Sequence, residues 1–142
     1  MAQTKVTKHE IDWSGFSNNA KSTSTTQGSF SNTSQSLASI GGSLSFTLAS
    51  AGVALVTVTT SILSSSDFEH RPEVWLNGAY YARPDYQAQV AGSSRAQPRT
   101  FSCAVPLAAG VNTITAGLYL VSSTSANGYA SISAIVLGNV TA

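Results

Sequence analysis

The segment Glu73-Val74-Trp75-Leu76-Asn77-Gly78-Ala79-Tyr80-Tyr81-Ala82 carries the clearest local signal in this 142-residue chain. Asn-Gly between two apolar and aromatic runs predicts a two-residue β-hairpin with a type I′ turn, because both turn residues need a positive φ. Arg83-Pro84 ends the second strand, since proline has no backbone N–H to donate to a neighbouring strand. The segment therefore predicts an antiparallel ribbon near the middle of the chain.

Further strand patterns lie on both sides of this hairpin. Alternating or β-branched runs occupy Ser43–Leu48, Val53–Leu63, Thr100–Leu107, Val111–Val121 and Tyr129–Leu137, and a short strand is expected at Gln87–Val90. Val53–Leu63 is long and rich in Val and Thr, which favours a central strand over a helix. Helix signals are scarce. About seven or eight short strands separated by turns predict an all-β sandwich or barrel.

The first 40 residues differ from the rest. Residues 1–36 are polar, with a tract of Ser, Thr, Asn and Gln from Asn18 to Ser36. Such composition is typical of an extended arm rather than a packed core. We therefore expect an N-terminal attachment arm over residues 1–40 and a β-domain over residues 41–142. The candidate attachment residues are Lys5, Val6, Ile11, Trp13 and Phe16.

Charge is confined to two windows of the sequence. No Asp, Glu, Lys or Arg occurs from Ser22 to Ser66 or from Thr100 to Ala142, and charged residues make up 9% of the chain, against roughly a quarter in an ordinary soluble domain. We interpret the neutral, hydroxyl-rich stretches as core and subunit-contact faces. The charged window Asp67–Arg99 is expected to face a partner. A net charge of +1 gives no indication of nucleic-acid or anionic-lipid binding.

Other sequence features bound the setting of the protein. Every apolar run is far shorter than the ~20 residues that cross a bilayer, so we expect no membrane insertion. Residues 1–10 show no secretory signal, and the single Cys103 excludes an internal disulfide. Cys103 falls on the apolar side of its strand, which favours a buried, inert thiol. We therefore expect synthesis in a reducing cytoplasm.

Catalytic and metal-binding motifs are missing from the sequence. It contains no phosphate-binding glycine loop, CxxC, HExxH or GxSxG. His70 lies among acids and an arginine in Asp67–Arg71, but adjacent residues of an extended segment point to opposite sides and converge poorly on one ion. Glu69 or Glu73 with Asp85 has no spacing that favours paired-carboxylate hydrolysis. We expect no catalytic residue, no metal and no cofactor.

An aromatic and arginine-rich cluster is the most informative group of side chains. Trp, Tyr and Arg dominate binding hot spots, and aromatic faces beside hydrogen-bonding groups suit sugar rings. The simpler interpretation is a cross-strand pair, Trp75 opposite Tyr80, that stabilises the hairpin. Both interpretations stay open. The candidate receptor-binding residues are His70, Arg71, Trp75, Tyr80, Tyr81, Arg83 and Tyr86.

Several segments together resemble bacteriophage virion proteins with a jelly-roll domain of the tumour-necrosis-factor/C1q type. Val74–Gly78 resembles the hairpin of such domains, Phe101–Ile114 their strand–turn–strand with V-P-L-A-A-G, and Ala130–Gly138 their closing strand. Thr4–Asp12 resembles the N-terminal segment of tail-fibre and tail-tip proteins. The resemblance implies an antiparallel jelly-roll β-sandwich, a homotrimer, and a role in adhesion or shell stabilisation, with no catalytic motif.

These observations lead to three hypotheses. The first is a non-enzymatic, trimeric tail-fibre or tail-tip module that binds a host surface glycan or protein and contacts other virion proteins through its N-terminal arm. The second is a capsid decoration (cement) protein that stabilises the shell. The third is a carbohydrate-binding, lectin-like module. Under the first two the protein is made in the host cytoplasm and located in the virion.

Overall fold

The computed structural model describes residues 22–24, 28–32, 36–63, 68–85, 88–90, 97–120, 126–137 and 140–141. Within these ranges the chain forms eleven β-strands and no helix. The strands are β1 (Ser22–Ser24), β2 (Gly28–Asn32), β3 (Ser36–Leu48), β4 (Gly52–Leu63), β5 (Phe68–Leu76), β6 (Ala79–Ala82), β7 (Ala88–Val90), β8 (Gln97–Leu107), β9 (Gly110–Leu120), β10 (Ala126–Leu137) and β11 (Val140–Thr141).

The strands form two antiparallel sheets. Sheet A has the order β1-β10-β4-β8, with β2 also paired to β10, and sheet B has the order β11-β3-β9-β5-β6, with β7 also paired to β5. The long strands change sheet at each step of β3-β4-β5 and of β8-β9-β10, as in a jelly roll. The predicted fold class, an all-β antiparallel jelly-roll sandwich, is confirmed.

The core lies between the two sheets and follows from the period-two alternation of the strands. The fully buried side chains include Val56, Val58 and Ile62 in β4 and Ile114, Leu118 and Leu120 in β9. Thr60 and Ala116 are buried on the same side, and the residues that alternate with this set point away from the core. Burying apolar side chains of this size stabilises the fold by about 1.5–3 kcal/mol each. Val53–Leu63 is a central strand, as predicted, because β10 and β8 flank β4.

The hairpin between β5 and β6 has the predicted turn. Asn77 and Gly78 have φ values of 51° and 80°, as a type I′ turn requires. The turn is also fixed to β9. The Asn77 N–H donates to the Thr113 carbonyl at 2.8 Å, and the Thr113 N–H donates to Asn77 Oδ1 at 2.8 Å.

The N-terminal boundary differs from the prediction. The expected division between residues 40 and 41 lies inside β3, and β1 and β2 pair with β10. Backbone hydrogen bonding along β10 therefore brings part of the polar tract into sheet A. The candidate attachment residues Lys5, Val6, Ile11, Trp13 and Phe16 lie outside the described residues.

The charged window also differs from its predicted exposed position. β5 is an internal strand, since β9 pairs with one of its edges and β6 and β7 pair with the other. Its residues Pro72, Glu73 and Val74 are buried. The window therefore supplies part of the core as well as an outer surface.

Within the described residues, no helix is long and apolar enough to cross a membrane.

Candidate functional site

The outward face of sheet B brings together a group of aromatic and charged side chains. Along β5 the side chains alternate, so that Arg71, Glu73 and Trp75 lie on the side opposite the core residue Val74. Tyr80 of β6 lies opposite Trp75, and Tyr119 of β9 lies opposite Arg71. We call the group formed by Glu73, Trp75, Tyr80, Arg83 and Tyr119 the aromatic–arginine platform.

Glu73 lies at the centre of this platform. Glu73 has no exposed surface, although it lies on the outward face of β5. The register places it opposite Gly117, which has no side chain and leaves room for the carboxylate. The Trp75 indole N–H donates to Glu73 Oε2 at 2.9 Å, and Arg83 Nη1 donates to Oε1 at 3.1 Å. A buried charge needs such partners to offset its lost hydration.

The arginine of this ion pair also packs against two aromatic rings. The guanidinium carbon of Arg83 lies 3.9 Å from the centre of the Tyr119 ring and 5.4 Å from that of Tyr80. Both distances are within cation–π range. The Arg83 side chain is 31% exposed, and its planar group carries five N–H donors. The ion pair thus orients the guanidinium while leaving part of it open to solvent.

The aromatic side chains hold one another in place. The Trp75 and Tyr80 rings meet edge to face, with centres 6.2 Å apart and an interplanar angle of 80°. Pairs of this geometry contribute about 0.5–1.5 kcal/mol beyond their buried area. Tyr80 is nevertheless 49% exposed. The predicted cross-strand contact is therefore present, and it leaves half of the Tyr80 side chain accessible.

Tyr81 occupies a different position from the platform. The β5–β6 register shifts between Val74 and Trp75, so that Val74 pairs with Ala82 and Trp75 with Tyr80. This bulge leaves Tyr81 as the extra residue of β6. Its hydroxyl donates to the Ala104 carbonyl in sheet A at 3.0 Å. Tyr81 therefore links the two sheets beside the hairpin.

His70 is placed in the interior and not on the outward surface. It has no exposed surface and shares the core side of β5 with Val74. Burial, and then the positive charge of Arg99, lower the pKa of His70 from 6.5 to about 4, so the ring is neutral near pH 7. We leave His70 out of the candidate site, because a fully covered imidazole cannot contact a ligand while β5 stays in place.

Of the other candidate residues, one lies on the outward face and one lies outside the described residues. Arg71 is half-buried on the outward face, beside Tyr119 in the register. Tyr86 lies outside the described residues. Sequence reasoning missed Tyr119 and the role of Glu73. The alternation of Val111–Val121 did place Tyr119 on the outward side of its strand, but only the β5–β9 register shows that it lies at the cluster.

Reactive groups elsewhere in the described residues form no second cluster. No three His, Cys, Asp or Glu side chains of this part of the chain are grouped so as to hold a metal ion. Cys103 is half-buried and packs against the core. Burial raises the pKa of its thiol, which disfavours the nucleophilic thiolate.

The sequence matches no protein-family model. No curated protein sequence matches it either. Among solved structures, its fold is similar to a family 35 carbohydrate binding module from an environmental isolate, with 24% identity over 73% of this chain and 68% of that one and a TM-score of 0.39.

Two further solved structures show similarity at the same level. One is a family 35 carbohydrate binding module from Clostridium thermocellum, with 10% identity over 80% of this chain and 98% of that one and a TM-score of 0.39. The other is an exo-β-1,3-galactanase from Phanerochaete chrysosporium, with 16% identity over 83% of this chain and 29% of that one and a TM-score of 0.38.

Proposed function

We propose that the chain is a non-enzymatic glycan-binding module and that the aromatic–arginine platform is its binding surface. The observation that carries the proposal is the exposed Tyr80 ring beside a guanidinium that a buried carboxylate holds in place. A sugar offers C–H groups on one face and hydroxyls around its edge. The ring supplies an apolar face, and Arg83 supplies N–H donors from a guanidinium whose carbon lies 5.4 Å from the ring centre.

The surroundings of the platform favour a sugar over an ionic ligand. Glu73 offsets the charge of Arg83, so the pair presents hydrogen-bond donors with little net charge. Hydroxyl groups continue the surface across β9 and β3. The side-chain oxygens of Thr113 and Ser45 are hydrogen-bonded at 3.1 Å. Thr115 lies opposite Trp75 in the register. These hydroxyls both donate and accept, as the hydroxyls of a sugar do.

The platform is also held in its binding geometry before any ligand arrives. The ion pair, the indole hydrogen bond and the edge-to-face ring contact each restrain one side chain in the unbound protein. These side chains therefore lose little rotamer freedom when a ligand binds. Ordering one such side chain costs about 0.5–1.5 kcal/mol. Because this entropy cost is reduced, a preorganised surface favours ligand binding even on a shallow, open face.

The virion location, the homotrimer and attachment through the N-terminal arm stay predictions from the sequence resemblance, as does the capsid-cement alternative. A glycan-binding platform is compatible with the first and third sequence hypotheses, because the partner expected for a tail module includes a host surface glycan. Sedimentation equilibrium tests the trimer, since the chain mass is 14.6 kDa.

The experiment that tests glycan binding compares two tyrosines of equal exposure on opposite sheets. Tyr80 on sheet B and Tyr129 on sheet A are each 49% exposed. After a glycan array identifies a ligand of the intact chain, affinities are measured for Tyr80→Ala, Tyr80→Phe and Tyr129→Ala. Tyr80→Ala is expected to weaken binding about tenfold, as loss of a hot-spot aromatic does.

Tyr80→Phe keeps the ring face, and Tyr129→Ala leaves the platform intact, so both are expected to bind as the parent does. Circular dichroism checks that each variant is folded, because Tyr80 also packs on Trp75. The proposal fails if no glycan on a broad array binds, or if Tyr80→Ala binds as tightly as Tyr129→Ala.

A further inference from the structure

The outward face of sheet A carries an apolar patch that no described part of the chain covers. Val53, Leu55, Ile135 and Leu137 are each between 42% and 50% exposed. Ala104 and Pro106 of β8 are exposed as well. The apolar patch is defined by these six residues. Contiguous exposed apolar surface is typical of the contact sites of soluble proteins.

The strand register makes the patch continuous. Leu55 pairs with Ile135 and Val53 with Leu137 across the β4–β10 boundary, and the same two β4 residues pair with Ala104 and Pro106 across the β4–β8 boundary. Side chains directly opposite on neighbouring strands have Cβ atoms about 5 Å apart. The patch therefore spans three adjacent strands at one end of the sheet.

The other end of the same face is polar, which gives the patch a sharp border. The hydroxyl groups of Thr57 and Ser102 are hydrogen-bonded at 2.8 Å, and those of Thr59 and Thr100 are hydrogen-bonded at 3.0 Å. The two ends belong to the same three strands and differ only in side-chain chemistry. An occupant of the apolar end therefore needs to be apolar, and it needs no charge.

The start of β1 lies at this apolar end. Ser22 pairs with Ile135 and Ser24 with Ser133, so the first residue of β1 is the one beside the patch. Leu55 is two strand spacings from β1, a distance of about 10 Å. Phe16 precedes Ser22 by six residues, which extend to about 20 Å. The segment before β1 is long enough to reach every residue of the patch.

We propose that Trp13 and Phe16 of the N-terminal segment cover the apolar patch of the same chain. They are the two large aromatic residues in the 21 residues that precede β1. Attachment through β1 gives them an effective concentration on the order of millimolar at the patch. A second copy of the chain at micromolar concentration competes poorly with an occupant tethered in this way.

Tryptophan fluorescence tests the proposal in the full-length chain. The chain has two tryptophans, so the Trp75→Phe variant leaves Trp13 as the reporter. Adding Leu55→Ser to this background is expected to shift the Trp13 emission to longer wavelength and to increase its quenching by acrylamide. The matched control is Tyr129→Ser, which removes a 49% exposed side chain from the polar end of the same face and is expected to leave both readouts unchanged.

A disulfide test gives an independent measurement. In a Cys103→Ser chain, Phe16→Cys paired with Leu55→Cys is expected to form a disulfide within one chain on mild oxidation, faster than Phe16→Cys paired with Thr59→Cys, which lies at the polar end of the same strand and within the about 20 Å reach of the segment. Equal rates for the two pairs would overturn the proposal, as would a Trp13 emission unaffected by Leu55→Ser. Disulfides between chains, or a Trp13 emission that changes on dilution, would show that a second copy covers the patch and would also overturn it.

Discussion

The placement of His70 predicts a loss of stability on mild acidification. The folded chain resists protonation of this imidazole until about pH 4, while the unfolded chain takes up the proton near pH 6.5. Between these values the unfolded state binds more protons, so stability falls as the pH falls. At about 1.4 kcal/mol per pH unit, the full loss is about 3 kcal/mol, of which about 2 kcal/mol occurs between pH 7 and pH 5.

Urea unfolding at several pH values between 7 and 5 measures this loss. The range stays above the ordinary pKa values of carboxylic acids, whose protonation would add to the slope. The His70→Gln variant removes the titrating ring and is expected to flatten the dependence, whatever its stability at pH 7. The matched control is His9→Gln, which removes the other histidine of the chain and keeps His70. An unchanged stability of the parent from pH 7 to pH 5, or an equal slope in His70→Gln, would refute the buried position of His70.

Three substitutions test other parts of the structure, each by urea or thermal unfolding. Arg83→Ala leaves the Glu73 carboxylate buried without its guanidinium, and we expect a loss of about 2 kcal/mol, between the values for exposed and buried ion pairs. Combining it with Glu73→Gln should recover part of that loss, and no recovery would argue against the pair. Asn77→Ala should cost about 1 kcal/mol because alanine disfavours a positive φ. Asn77→Gly, which tolerates this φ, should cost less, and an equal cost would argue against the type I′ turn. Gly128→Ala would place a Cβ against the Ser61 carbonyl oxygen, and we expect a loss of about 3 kcal/mol as β4 and β10 separate. The control Gly110→Ala meets open space at φ +99° and should lose only about 1 kcal/mol; equal losses would contradict the close approach of the two strands.

The parts of the fold that were predictable are those set by local chemistry. Asn77-Gly78 specifies its turn because few other residue pairs tolerate two positive φ values. The alternation in β4 and β9 identifies the buried faces, because a half-buried strand has period two. The pairing of Trp75 with Tyr80 then follows from the two-residue turn, without any knowledge of the rest of the chain.

The parts that were not predictable depend on contacts between distant segments. Glu73 is acidic and reads as a solvated residue until the β5–β9 register places it opposite Gly117. Tyr119 is distant from Arg83 in sequence and reaches it only through the same register. The strands β1 and β2 lie in a polar tract with no apolar alternation, so their pairing with β10 leaves no period-two signal for sequence analysis to find.

The measurement that tests the platform most directly is the indole N–H resonance of Trp75 during titration with an oligosaccharide. This N–H donates to Glu73 at the centre of the platform, so it reports on ligand contact at Tyr80 and Arg83. We predict a saturable shift of the Trp75 resonance, with a much smaller shift in the Tyr80→Ala variant at the same sub-saturating ligand concentration and an about tenfold higher midpoint. Binding that leaves Trp75 unchanged while shifting residues on the outward face of sheet A would contradict the assignment of the platform as the glycan site.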